Sequence, residues 1–197
     1  MRLGRYAAAG FTALELLFAV ALFVTVSSIS VPPLIRALDD YRAAGAARYV
    51  AARLQRLRME AILQSTEVGM KFYGTGGIYT FVTYVDGNGN GILTSDITSG
   101  IDRPIAAAER LGASFAGVEF GTIPGLPAVD SGSAPPGSDP IRLGSGDIAS
   151  FNASGSSSSG SLYVKSRSRQ FVVRLYGDTG KTRILMFDAA SRRWGPA

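Results

Sequence analysis

The spacing of hydrophobic and polar positions changes twice along the chain, and each change predicts a different kind of element. Across residues 11–31 nearly every position is apolar, and Glu15 is the one charge. A run of roughly 20 such residues makes a helix of about 30 Å, enough to cross the hydrocarbon core of a bilayer. Pro32 and Pro33 follow, and the loss of two backbone donors predicts a kink or a loosened junction there. Across residues 34–65 the apolar positions recur at helical steps. Ala43, Ala47, Val50, Leu54, Leu57 and Ala61 form one stripe, with Arg42, Arg48, Arg53, Arg56 and Arg58 mostly off it. This predicts an amphipathic helix that continues the membrane helix and lays its stripe on a sheet, with the arginines as a solvated face. Gly45 is a second soft point within it.

After Ser65 the pattern becomes that of strands. Residues 68–73 and 78–85 predict a hairpin, joined through Gly74-Thr75-Gly76-Gly77 by a loop longer than two residues. Residues 101–111 fit either a short helix or an irregular strand. Residues 113–120 alternate imperfectly and predict a strand. Residues 121–140 are dense in Gly, Pro and Ser and predict a surface loop outside the core. A short strand is expected within 141–151, and the Gly/Ser-rich stretch 152–161 is expected to be mobile. Residues 162–165, 170–176 and 182–188 predict strands, the last two joined by Gly177-Asp178-Thr179-Gly180. Val172, Arg174 and Tyr176 alternate with Val173 and Leu175, which predicts one polar and one buried face. Trp194 is expected to pack near the end of the domain. The resulting fold class is α+β: a long N-terminal helix, first transmembrane and then amphipathic, packed on a mostly antiparallel sheet. The segments are 1–10 as a leader, 11–33 as the membrane helix, 34–65 as its continuation and 66–197 as one β-rich domain.

Composition narrows the chemistry. The chain has neither cysteine nor histidine. Disulfides, Cys/His zinc sites and Ser-His-Asp or Cys-His catalysis are therefore excluded. Glu60, Glu67, Glu109 and Glu119 show no spacing typical of a catalytic pair, so an enzyme is not expected. The formal charge of +5 allows contact with an anionic polymer or membrane surface.

Glu15 is the residue that needs explaining. A carboxylate in a membrane helix costs about 2.5–3.5 kcal/mol at the bilayer centre and less near an end, so it asks for a partner. If the chain were cut between Gly10 and Phe11, the new ammonium would lie four residues before Glu15, one helical turn away. The cut would also place Glu15 at a helix N-terminus, where negative charge is favoured. A plain transmembrane anchor accounts for the length, and Arg2 and Arg5 suit the cytoplasmic side of one, but it leaves Glu15 without a role. A secretory signal peptide would be cut after its apolar core, where Val26-Ser27-Ser28 offers a weak match.

The stretch Gly10-Phe11-Thr12-Ala13-Leu14-Glu15, behind a short basic leader and ahead of a long apolar helix with Pro32, resembles the signal of type IV pilins and type II secretion pseudopilins. Ala13 stands where leucine is usual. The resemblance implies cleavage after Gly10 by a prepilin peptidase, N-methylation of Phe11, and use of Glu15 to dock into a growing filament. The overall layout resembles the GspH/FimT group of minor pseudopilins and minor pilins. It implies a non-enzymatic subunit held in the bacterial inner membrane, with its N-terminus cytoplasmic before cleavage. The subunit then enters a periplasmic or extracellular filament with other pilins or pseudopilins, of a type II secretion pseudopilus or a type IV pilus.

Two further stretches carry candidate chemistry. Asp86, Asn88 and Asn90 place oxygens at alternate positions around glycines, and Asp96 adds a carboxylate, as a calcium loop requires. The loop lacks the bidentate acid at its twelfth position, where Ile97 stands, and a polar turn leaving a strand explains the same residues. No other cofactor is expected. From Lys165 onward basic residues outnumber acids. Gly180-Lys181-Thr182-Arg183 is similar to the Gly-Arg-x-Arg motif of DNA-uptake FimT pilins. Lys181 and Arg183 would lie on one face of a strand, with Arg174 on the strand before, and could meet successive phosphates of DNA. A charged guard on an exposed sheet edge is the alternative.

Overall fold

The computed structural model describes residues 10–197, so the basic leader with Arg2 and Arg5 lies outside the described residues. The elements in chain order are α1 (Ala13–Gln64), β1 (Val68–Thr75), β2 (Ile78–Val85), α2 (Thr94–Ser99), β3 (Arg103–Pro104), β4 (Glu109–Arg110), α3 (Leu111–Ser114), β5 (Glu119–Phe120), β6 (Ile141–Arg142), β7 (Ile148–Phe151), β8 (Gly160–Lys165), β9 (Gln170–Tyr176), β10 (Lys181–Asp188) and β11 (Arg193–Pro196). The chain divides into two compact units, one ending at Leu38 and the other Asp39–Ala197.

In the first unit α1 is exposed on every side. Leu16, Phe18, Leu22, Phe23 and Ile29 are each more than 60% exposed, and the most apolar window of the helix has nothing buried. The helix runs through both Pro32 and Pro33. Proline supplies no N–H, so the carbonyls of Ser28 and Ile29 go without their partners one turn on. One turn earlier, the hydroxyls of Thr25 and Ser28 donate to the carbonyls of Ala21 and Val24 at 2.8 and 2.7 Å. The double proline marks a stretch short of two hydrogen bonds within one helix.

In the second unit the predicted stripe is the buried face of α1: Ala43, Ala47, Val50, Leu54, Leu57 and Ala61, joined by Ala46 and Ala51. Alanine at five of these positions lets the helix approach closely. Gly45 fits this too, since a Cβ there would lie 3.2 Å from the Phe115 ring, so it serves contact and not softness. All strand pairing is antiparallel, in two sheets. One runs β3-β2-β1-β7, with β4 also on β2; the other runs β11-β10-β9-β8-β5, with β6 also on β8. The helix stripe and both sheets share one core. Phe72, Phe81 and Phe120 meet in it, the last edge-on to the other two at 5.3 and 6.1 Å. Burying each large side chain of this kind contributes about 1.5–3 kcal/mol.

Several expectations are corrected. The first hairpin turns on two residues, not four. Gly76 and Gly77 both have positive φ (59° and 81°), which suits a type I′ turn matched to strand twist. Residues 113–120 form no single strand: α3 occupies the start and β5 only the end. Residues 101–111 give two short strands rather than one element, and 141–151 likewise holds two, β6 and β7. The stretch expected to be mobile is tied down. Asn152 Oδ1 accepts from the N–H groups of Ser154 and Ser156, and Gly160 and Ser161 already belong to buried β8. The loop 121–140 is not all surface. Leu126 is buried, and with Ile123 and Val129 it joins Tyr163, Val172, Leu185, Phe187 and Trp194 in a second, smaller core. That core lies on the face of β8–β10 turned away from the helix. Val172 is therefore buried as fully as Val173, and the expected polar face of β9 is polar only from Arg174 onward.

Candidate assembly helix and basic face

The start of α1 is built by four residues. Thr12 stands just before the helix, and its Oγ1 accepts the Glu15 N–H at 3.2 Å. Glu15 Oε2 in return accepts the Thr12 N–H and the Thr12 hydroxyl, both at 2.8 Å. This is a capping box, in which two orphan donors of the first turn are satisfied reciprocally. The Thr12-Ala13-Leu14-Glu15 spacing is its signature, a signal legible in the sequence that the family resemblance overshadowed. Among the described residues Glu15 Oε1 takes no hydrogen bond, so one oxygen holds the cap and the other stays open. Gly10 and Phe11 precede the helix and are exposed, Phe11 by 92%.

The Asp86 loop closes on itself. Asp86 Oδ1 accepts the N–H groups of Asn88 and Gly89, and Oδ2 that of Gly91. Burial pushes the Asp86 carboxyl up, but these backbone donors together outweigh it and hold it below its ordinary value. Asn88 and Asn90 turn their amide N–H groups onto Asp96 Oδ2 at 3.0 and 2.9 Å. Those two contacts, Asn90 first, hold the Asp96 carboxyl low. Asp102, which the sequence reading did not single out, is wholly buried behind the loop and accepts the N–H groups of Gly87 and Leu93. Glu67 takes Ile92 N–H at 3.1 Å. Asp86, Asn88, Asp102 and Glu67 thus accept backbone N–H groups of the loop, and Asp96 accepts the side chains of Asn88 and Asn90. Among the described residues no three acidic, histidine or cysteine side chains could hold a metal ion. In this arrangement Asp86 and Asp102 brace the loop as a turn.

The basic hairpin begins at a closely packed glycine. Gly180 has φ 61°, and a Cβ on it would meet Gly155 O at 2.3 Å. Gln55 on the helix also donates to its carbonyl at 2.9 Å. The glycine is therefore explained by the turn and its close packing. Lys181 and Arg183 are exposed, on the face of β10 away from the helix. Arg174 lies directly opposite Arg183. It is half-buried, with Nε 2.7 Å from Asp130 Oδ2 and its guanidinium stacked over Tyr176 at 5.6 Å.

A clamp fixes the first residues of the second unit. Asp39 Oδ2 accepts the hydroxyls of Ser166 and Ser168 and the Ser168 N–H, at 2.6–3.0 Å. Asp40 accepts the Ser168 hydroxyl and Arg169 at 2.8 Å. Arg169 holds the Asp40 carboxyl low. At Asp39 burial works upward, but the serine contacts outweigh it.

No protein-family model and no curated protein matches this chain. Among solved structures it is similar to the minor pseudopilin EpsH from the Type 2 Secretion System of Vibrio cholerae. The identity is 15%, the TM-score is 0.45, and the match covers 74% of this chain and 97% of that one.

Proposed function

We propose that the chain is a non-enzymatic minor pilin or pseudopilin, a subunit of a type II secretion pseudopilus or a type IV pilus. The observation that carries this reading is the first unit itself. It is an apolar helix exposed on all sides, begun at Thr12 by a cap that keeps one oxygen of Glu15 free. Such a helix is stable only where lipid or other helices cover it. Residues 11–33 sit in the inner membrane, and a prepilin peptidase cuts between Gly10 and Phe11. The new amine, N-methylated at Phe11, starts the helix one turn from Glu15. The open Glu15 oxygen then receives the N-terminal ammonium of a neighbouring subunit. Exchange of lipid for protein around the apolar helix costs little, because both surroundings are equally apolar. Pro32 and Pro33, with two carbonyls unpaired, give the helix a soft stretch where it leaves the membrane. Mass spectrometry of the native protein tests this: a mature chain beginning at N-methyl-Phe11 supports it, and an intact leader overturns it. Glu15→Gln is expected to abolish co-purification with the other filament subunits while the protein remains in the membrane.

A second reading, DNA binding during uptake, has one specific observation behind it. Lys181 and Arg183 are both exposed on one strand face, where they can meet successive phosphates. A gel shift of the full chain in detergent at two salt concentrations tests it. A shift at low salt that weakens at high salt, and is lost in Lys181→Gln/Arg183→Gln, supports the reading. No shift at low salt removes it.

A further inference from the structure

The outer face of the second sheet carries a row that the filament reading does not use. Strand register places Arg142 of β6 opposite Ser161 of β8, Ser161 opposite Arg174 of β9, and Arg174 opposite Arg183 of β10. Directly paired residues share a face, so three arginines and one serine run across it in a line. Like charges side by side destabilise a sheet, and among the described residues a single carboxylate, Asp130, pairs with any of the three. Adjacent strands are about 4.8 Å apart, so Arg142 and Arg174 flank Ser161 from about 10 Å across. Ser161 is short and 7% exposed, and the space above it is a cavity of about 200 Å³ lined by both arginines, Tyr163, Asp130 and Ser133. Arg174 Nε is fully covered, and although Asp130 Oδ2 lies close, its N–H does not align into a hydrogen bond. Asp130 reaches the cavity from a turn in which Ser133 Oγ and N–H both donate to its carbonyl oxygen.

We infer that the cavity between Arg142, Ser161 and Arg174 is a site for one oxyanion, a phosphate or a carboxylate, and that Asp130 occupies it as a built-in competitor. Two guanidiniums supply paired donors of fixed geometry. The Ser161 hydroxyl supplies a third donor at the floor. The cavity holds a single such group and is not a track for a duplex. An incoming oxyanion displaces Asp130, and the turn that carries Asp130 moves with it. This inference is independent of the filament reading.

The full chain in detergent micelles is titrated with inorganic phosphate at constant ionic strength, and in parallel with the dipeptide N-acetyl-Asp-Glu. Trp194 is the readout. It is the single tryptophan, and its Nε1 donates to Pro127 O at 3.1 Å, three residues before Asp130. Asp130→Asn is expected to tighten phosphate binding about tenfold, the effect of removing one charge-assisted competitor. Arg142→Gln, an exposed position, is expected to keep the unfolding temperature and abolish saturation, alone and combined with Asp130→Asn. Response to phosphate alone assigns a free anion; response to both ligands assigns a carboxylate carried by a polypeptide as well. Asp130→Asn binding no tighter than wild type, or Arg142→Gln binding as well as wild type, overturns the proposal. So does a response to DNA lost in Arg142→Gln when neither small ligand responds.

Discussion

The two parts of α1 are one helix by hydrogen bonding and two different objects by solvation. Up to Leu38 the helix is apolar around most of its circumference, and among the described residues its large apolar side chains are exposed. From Asp39 on they narrow to a stripe of Ala, Val and Leu, and that stripe is buried to within a few per cent. The same backbone is therefore stabilised in two ways. The later part is held by its own chain through the transfer and packing of side chains. The earlier part depends on what the surroundings supply; the Thr25 and Ser28 hydroxyls are satisfied within the helix, while Glu15 Oε1 and the carbonyls before the two prolines are not. A hydroxyl satisfied within its own helix enters an apolar medium with no bond left unmet.

The largest expected difference between the two parts is in packing. Leu54→Ala should destabilise the second unit by about 2–5 kcal/mol, since Leu54 is fully buried in the core. Leu22→Ala should leave chemical denaturation of that unit in micelles unchanged. A comparable loss from both would erase the distinction. Next is the loop brace. Asp102→Asn keeps one acceptor oxygen and loses the second, so it should cost about 1–3 kcal/mol by thermal unfolding. Added calcium should not restore the loss if the loop is a braced turn, whereas rescue by calcium would support a cation loop.

The cap comes third. Thr12→Ala should weaken the first turn by about 0.5–2 kcal/mol, read as faster amide exchange at Glu15 and Leu16 with no change beyond Asp39. Smallest is the acid response. Asp39, Asp40 and Asp86 have folded-state values below the unfolded one. Their contribution is fully present above the unfolded carboxyl pKa of about 3.9, and is lost as pH falls below that value through the lowered ones. Partial exposure keeps the effect small. Unfolding midpoints of the second unit should be flat from pH 5 to 7 and fall below pH 4, and Asp39→Asn should shallow the fall.

How far each element was legible follows from the distance over which its determinants act. The helix stripe was read residue by residue, because its period is local and six positions repeat it. The hairpin of β1 and β2 was placed to within two residues; the error was in the turn, where the two glycines at positive φ needed only one pair of positions. Asp102 was missed because its work is to accept the N–H groups of Gly87 and Leu93, fifteen and nine residues away. The burial of Val172 was missed for the same kind of reason. The residues that cover it, Leu126 and Trp194, come from a loop and a terminal strand that no periodicity connects to β9.

The chain's own order of residues determined the long apolar helix, the position of its one acid, the amphipathic continuation and the β-rich remainder, because each is written in neighbours within a turn or a strand. Tertiary structure alone decided which carboxylates brace a turn, which glycine is held by packing, and that Arg142, Ser161, Arg174 and Arg183 stand in one row. Strand register brings together residues 32 apart between Arg142 and Arg174, and register is set by pairing across the whole sheet, which no local pattern encodes.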